Sequence, residues 1–157
     1  MDVKQLGIAD AAYIAGLIDG EGTITLSRKH RNENRQLAIT ISNTERRLLD
    51  FVLDTVGAGK ITGKRTTRSN HTPSFTYAIY NRQALQLLAQ IHSSLRTYKA
   101  DRALLILRKY LKLTPRNGKY TDALRQKREQ FEDAVLHTKP GGMPCNLEVK
   151  PSQEPEG

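Results

Sequence analysis

A chain of 157 residues with 25 Lys and Arg against 16 Asp and Glu, a net charge of +9, suits one domain around a single core and is too short for two independent catalytic domains. The positive excess favours a polyanionic partner without choosing among nucleic acid, membrane surface and ribosome. A single cysteine, Cys145, excludes an internal disulfide framework and a cysteine-based zinc site; no apolar run approaches the roughly 18 residues of a membrane span, and Met1-Asp2-Val3-Lys4 opens no signal-peptide pattern. The expectation is a soluble intracellular protein with no membrane partner, in a bacterial cytoplasm or an organelle matrix.

In chain order, the first predicted element is a short helix with Asp10 as N-cap, running through residues 11–18 and ended by Gly20 and Gly22. Residues 23–29 and 36–42 then alternate with period two, placing Ile24 and Leu26, then Leu37, Ile39 and Ile41, on one face of a hairpin. Leu48, Leu49, Val52, Leu53 and Val56 recur at helical spacing until Gly57 stops them. Two more strands follow at 60–64 and 74–80, with Ile61, Phe75, Tyr77 and Ile79 toward the core. Asn81 is expected to cap a third helix whose apolar stripe is Leu88, Ile91 and Leu95. Two further helices are predicted at about 99–113 and 119–136, separated by Thr114-Pro115-Arg116-Asn117-Gly118. From His137 onward Pro140, Gly141, Gly142, Pro144, Pro151 and Pro155 forbid regular structure, so residues 1–137 form the domain and 138–157 a flexible Pro/Gly-rich tail. The tail holds two lysines and three glutamates, so the basic charge belongs to the folded body.

The order αββαββα plus an extra C-terminal helix predicts an α+β fold, an antiparallel sheet with helices on one face and the other face open. The opposite parity of the strands offers that face Thr25, Ser27, Lys29 and Arg31, then Gln36, Ala38, Thr40 and Ser42, then Lys60, Thr62 and Lys64, and finally Thr76 and Tyr80. Arg28, Arg35, Arg65 and Arg68 add charge from the turns. Lys and Arg suit the acceptors of guanine and phosphate, and Gln suits adenine. An ordinary solvated sheet face is also polar, but it mixes charge signs, whereas residues 60–71 hold four basic residues and no acidic one. Contact with nucleic acid is therefore favoured.

Chemistry concentrates in Ile14-Ala15-Gly16-Leu17-Ile18-Asp19-Gly20-Glu21-Gly22. Ala12, Ala15, Gly16, Asp19 and Gly20 present a stripe of small side chains, so two copies of the helix could approach around a two-fold axis and bring Glu21 beside its symmetry mate. Adjacent carboxylates repel unless a cation lies between them. Magnesium suits the Glu21 carboxylate, the backbone carbonyl near Gly20, phosphate oxygens and water, and there it would activate a water nucleophile and neutralise the leaving oxygen. Asp19 also fits a plain turn or capping carboxylate, a structural role. His30, His71, His92 and His137 show no metal-ligand spacing.

These nine residues closely resemble the defining motif of the LAGLIDADG homing endonucleases, with a conservative first residue, Gly20 at the seventh place and Glu21 where the second Asp of the motif stands. The likeness in element order spans about residues 8–113 and is looser in the C-terminal helices. It implies a saddle-shaped sheet over double-stranded DNA and a single-motif homodimer joined through the motif helix. It further implies Mg²⁺-dependent cleavage, with Mn²⁺ substituting, of a long, partly palindromic target across the minor groove, leaving 3′ overhangs, by an intron-encoded enzyme. It also points to Lys99 as a lysine that organises active-site water, with a solvated lysine in a helix's first turn as the plain alternative. Asn43 stands where the family carries a solvent-orienting polar residue, although it or Thr44 could instead cap the second helix. Arg46 and Arg47 could reach phosphate near the centre, where the family often carries a basic residue, or serve only at the surface. Intron RNA maturases and non-cleaving DNA-binding regulators on the same scaffold are the alternatives, and the acidic Glu21 favours the nuclease.

Overall fold

The computed structural model describes residues 2–64 and 72–141. Its elements are α1 (Ile8–Glu21), β1 (Gly22–Ser27), β2 (Gln36–Asn43), α2 (Arg46–Val56), β3 (Lys60–Lys64), β4 (Ser74–Tyr80), α3 (Asn81–Ile91), a 3₁₀ turn (His92–Ser94), α4 (Tyr98–Lys109) and α5 (Asp122–His137). The α+β order is the one expected. The four strands form one antiparallel sheet in the order β1-β2-β4-β3.

Period-two patterning fills one sheet face with Ile24, Leu26, Leu37, Ile39, Ile41, Tyr77 and Ile79, each at most 1% exposed. The helices supply the facing half of the core: Ile14, Ala15 and Ile18 from α1, Leu49, Val52 and Val56 from α2, Leu87, Leu88 and Ile91 from α3, and Ala103 and Ile106 from α4. Glycine is sterically required where the first two helices end. Gly57 ends α2 in the left-handed conformation at φ 77°, and a Cβ on Gly22 would lie 2.8 Å from the Ile18 Cα and 3.0 Å from the Thr40 carbonyl, so α1 turns into β1 hard against β2.

Several boundaries differ from the sequence expectation. α1 starts at Ile8 with Gly7 as N-cap, so Asp10 lies inside the first turn, where its charge suits the helix dipole, and the helix continues through Gly20 to Glu21. β1 stops at Ser27, which leaves Lys29 and Arg31 in the exposed loop rather than on the sheet. Tyr80, not Asn81, is the N-cap of α3; Asn81 is its first residue, at φ 54°. Leu95 is buried but lies beyond α3, after the 3₁₀ turn. Arg65, Arg68, Cys145 and the tail beyond residue 141 lie outside the described residues, as does the side chain of Lys64. Among the described residues no helix is long and apolar enough to cross a membrane.

Candidate active site and nucleic-acid interface

The motif helix delivers Glu21 to the place where it must turn into β1, and the register that pairs Gly22 with Ile41 brings the end of β2 alongside. There Asn43 does two things. Its Nδ2 donates to the exposed Glu21 carboxylate at 3.3 Å, and its Oδ1 accepts the Glu45 N–H at 2.8 Å at the start of α2. Neither Asn43 nor Thr44 caps α2, whose N-cap is Glu45 without a side-chain cap bond; Asn43 instead ties the end of the motif helix to the turn before α2, and its neutral amide meets the Glu21 carboxylate without cancelling its charge.

Asp19 faces the other way. Its carboxylate accepts the Arg96 N–H at 2.7 Å, the Thr97 N–H at 3.3 Å and the Thr97 hydroxyl at 2.5 Å. Thr97 is the N-cap of α4, accepting the Lys99 N–H. Lys99 then returns to α1, its Nζ donating to the Ile18 carbonyl at 2.7 Å and the Asp19 carbonyl at 2.9 Å. These are carbonyls of the last helical turn, and that of Ile18 also accepts the Gly22 N–H. Lys99 is 7% exposed, so it is not a solvated lysine. Burial pulls its ammonium below the ordinary value, with Asp19 opposing that fall and Arg102 adding to it.

The open face follows from the register. Across the strands stand Ser27 and Gln36; then Thr25, Ala38 and Tyr80; then Thr23, Thr40, Ala78 and Lys60; then Ser42, Thr76 and Thr62; and last Ser74. Every residue expected there on a strand, Lys64 apart, is on this face. Thr23, Ser74 and Ala78 were missed, though strict alternation continued to the strand ends would have found them. Ser42 and Thr76 share a hydrogen bond of 2.8 Å between their hydroxyls. Arg28, Lys29 and Arg31 are exposed beyond β1, and Arg35 is half-buried. Arg46 pairs with Asp50 at 3.6 Å and lies over the Phe75 ring.

Of the small residues expected to form a contact stripe, the structure divides the set. Ala12 and Gly16 are exposed, but Ala15 is fully buried in the chain's own core and Asp19 is taken by Arg96 and Thr97. The exposed stripe is instead Ile8, Ala12, Gly16 and Gly20, every fourth residue, bordered by Tyr13 and Phe51 packed edge to face at 5.5 Å. Helical spacing alone admits either stripe; burial chooses.

The family model described as a LAGLIDADG-like domain matches residues 9–97, from the start of the motif helix to the Thr97 cap. The chain belongs to the LAGLIDADG family. Among solved structures, this LAGLIDADG chain is similar to the homing endonuclease I-CvuI in complex with its target, with a TM-score of 0.68 at 18% identity over 85% of this chain and 84% of that one. It is similar also to the archaeal intron-encoded homing endonuclease I-Vdi141I complexed with DNA, with a TM-score of 0.65 at 16% identity over 86% and 87%. A third likeness, to the meganuclease I-SmaMI bound to uncleavable DNA, has a TM-score of 0.60 at 16% identity and covers 87% of this chain but 47% of that one. Identities this low establish the shared fold. Among curated proteins no sequence matches the chain. The coverage sorts this single-motif LAGLIDADG chain with I-CvuI and I-Vdi141I, which it matches over most of their length, rather than with a chain about twice as long.

Among the described residues no three His, Cys, Asp or Glu side chains gather so as to hold a metal ion. The donors at the end of α1 are nonetheless hard oxygens, the exposed Glu21 carboxylate and the adjoining Gly20 carbonyl, which suit magnesium rather than a softer metal.

Proposed function

We propose that this LAGLIDADG chain is a homing endonuclease that binds a long, partly palindromic DNA duplex as a homodimer and cuts both strands with the help of a divalent cation, leaving 3′ overhangs. The observation that carries this reading is the position of Glu21, an exposed carboxylate where the motif helix meets a polar and basic open sheet face. DNA as the partner is supported by the similar structures of I-CvuI, in complex with its target, and I-Vdi141I, complexed with DNA.

In this reading Glu21 and the Gly20 carbonyl would hold Mg²⁺, or Mn²⁺ in its place. When bound, the metal supplies Lewis-acid activation of water and neutralises charge on the phosphate. Asn43 orients the Glu21 carboxylate through its amide. Lys99 acts by fixing the end of α1, and its positive charge lies behind the acidic centre. Arg28, Lys29 and Arg31 neutralise phosphate, while Thr25, Ser27, Gln36, Thr40, Ser42, Lys60, Thr62, Thr76 and Tyr80 face the base edges of a groove. Lys64, Arg65 and Arg68 would extend that basic surface, and Arg35 adjoins it.

The test starts from a pool of randomised duplexes. Native protein and Glu21→Gln are each allowed to select DNA without divalent metal, and the selected duplex is then incubated with Mg²⁺. The expected result is that both proteins select the same sequence and only the native chain cuts both strands. Selective binding without cleavage by either protein would replace this reading by a DNA-binding regulator.

A further inference from the structure

Strand β2 runs two residues beyond the end of its pairing with β4. The last rung between them pairs Ala38 with Tyr80; the next would pair Leu37 with Asn81, but Asn81 turns the chain away into α3 at φ 54°. The Leu37 N–H is therefore left in a buried ladder without a strand partner, and the Tyr110 hydroxyl, brought in from the end of α4, accepts it at 3.2 Å. A buried backbone donor needs such an acceptor.

This contact fixes the polarity of everything beyond it. A backbone N–H can only donate, so the Tyr110 oxygen accepts and its single proton goes to the Asn81 Oδ1 at 3.0 Å. The Asn81 amide is thereby oriented, and its Nδ2 donates to the Gln36 Oε1 at 3.1 Å. The Gln36 oxygen is turned back toward the protein, which leaves its NH₂ group outermost on the open sheet face. The relay runs one way, from Leu37 through Tyr110 and Asn81 to Gln36.

We infer that Gln36 is a specificity-determining residue that presents hydrogen-bond donors to the groove and selects guanine, whose O6 and N7 are both acceptors. This inference rests on the DNA-reading function proposed above. A free glutamine pairs with adenine by offering one donor and one acceptor; the relay withdraws the acceptor. Gln36 lies about 23 Å along β2 from Asn43, at roughly 3.3 Å per residue, so the base it reads belongs to the outer part of each half-site rather than the centre. Asn81 and Tyr110 act through Gln36 and are positioning residues.

The experiment selects DNA from a randomised pool with the native chain, Gln36→Ala, Asn81→Asp and Tyr110→Phe, and compares base preference position by position. Gln36→Ala identifies the base pair concerned by relaxing it alone. At that position the native chain should favour guanine over adenine by roughly tenfold, within the range of a good base contact. Asn81→Asp replaces the outward donor by an acceptor, so Gln36 must turn its NH₂ inward and show its oxygen; preference there should move toward adenine while other positions hold. Tyr110→Phe, which keeps the ring that packs on Phe131 and under Arg128, should lessen the guanine preference without reversing it. Native preference for adenine, no position responding to Gln36→Ala, or an equal loss at every position in Asn81→Asp would each overturn the inference while leaving the endonuclease reading intact. A native chain that selects no sequence would overturn both.

Discussion

Lys99 spans the two ends of the acidic segment: its backbone N–H is held by Thr97, which Asp19 holds, and its ammonium holds the Ile18 and Asp19 carbonyls. Replacing it with methionine keeps the apolar stem, leaves the Ile18 carbonyl with the Gly22 N–H alone and takes this donor from the Asp19 carbonyl, a loss of about 1–3 kcal/mol, measurable by urea unfolding. The pH dependence has a definite sign. Burial lowers the Lys99 value in the folded chain below its ordinary 10.5, so between the two values the unfolded chain binds more protons and stability rises with pH. Burial raises the Tyr77 phenol, and that group works in the opposite direction, costing stability only above its ordinary value near 10 as the unfolded chain ionises. The difference in stability between the native chain and Lys99→Met removes the Tyr77 contribution; it should widen in favour of the native chain as pH climbs toward 10.5. A difference that narrowed with pH would mean that the ammonium, not the amine, is the form the fold prefers. Asp19→Asn should release Arg96 and Thr97 and so loosen the start of α4, lowering cleavage with little effect on DNA affinity, as titration of a labelled duplex would show.

At the scale of elements, α5 is tied to the sheet by charge. Arg128 is 1% exposed, donating from Nε to Glu132 at 3.3 Å, from NH1 to Thr114 at 2.6 Å and from NH2 to the Arg35 carbonyl at 2.5 Å, beneath the rings of Tyr110 and Phe131. Glu132 accepts the Arg35 N–H at 2.7 Å. The pair thus grips both backbone groups of the residue that leads into β2, just before Gln36. Glu132→Ala leaves the guanidinium buried without its carboxylate and should destabilise by about 3–5 kcal/mol; Arg128→Met with Glu132→Leu should recover much of that loss in thermal unfolding. None of this was legible in the sequence, where Arg128 and Glu132 look like an exposed pair one helical turn apart on a polar helix. What was legible follows one rule: periodicity dictates burial where a strand or helix has a single wet face. Both later strands, β3 and β4, were bounded correctly, and α2 was anticipated down to its Gly57 stop, because alternation there is unbroken and ends on a residue suited to positive φ. It failed where long-range partners decide: Ala15 turned inward because α1 sits on the sheet, Lys99 was buried by α1, and Asn81 was drawn to Tyr110 rather than capping α3. Glu21 was singled out on the nine-residue motif and Asn43 on its place in the family resemblance, and the fold sets the two side chains 3.3 Å apart.

For the whole molecule the decisive surface is the exposed side of α1. Ile8 is 93% exposed and Tyr13 50%, an arrangement costly in water for a lone chain and natural for one whose motif helix packs on a second copy. Gly16 lies mid-stripe, and a Cβ built there meets nothing within 4 Å, so the fold of one chain gives no reason for glycine at that position. A helix interior prefers alanine to glycine by about 1 kcal/mol; close approach of a second backbone supplies a reason to forgo that gain. Gly16→Ala and Gly16→Leu should therefore leave the monomer as stable as the native chain or slightly more so, while shifting the sedimentation equilibrium toward monomer, leucine far more than alanine. Cleavage should fall with the dimer, because the single carboxylate of Glu21 in each chain then lacks its counterpart, whereas binding to half of the selected duplex should persist and weaken steeply with added salt. Were Gly16→Leu to remain dimeric and cut normally, the copies would have to meet through another face, and the side-by-side placement of two Glu21 residues would lose its basis.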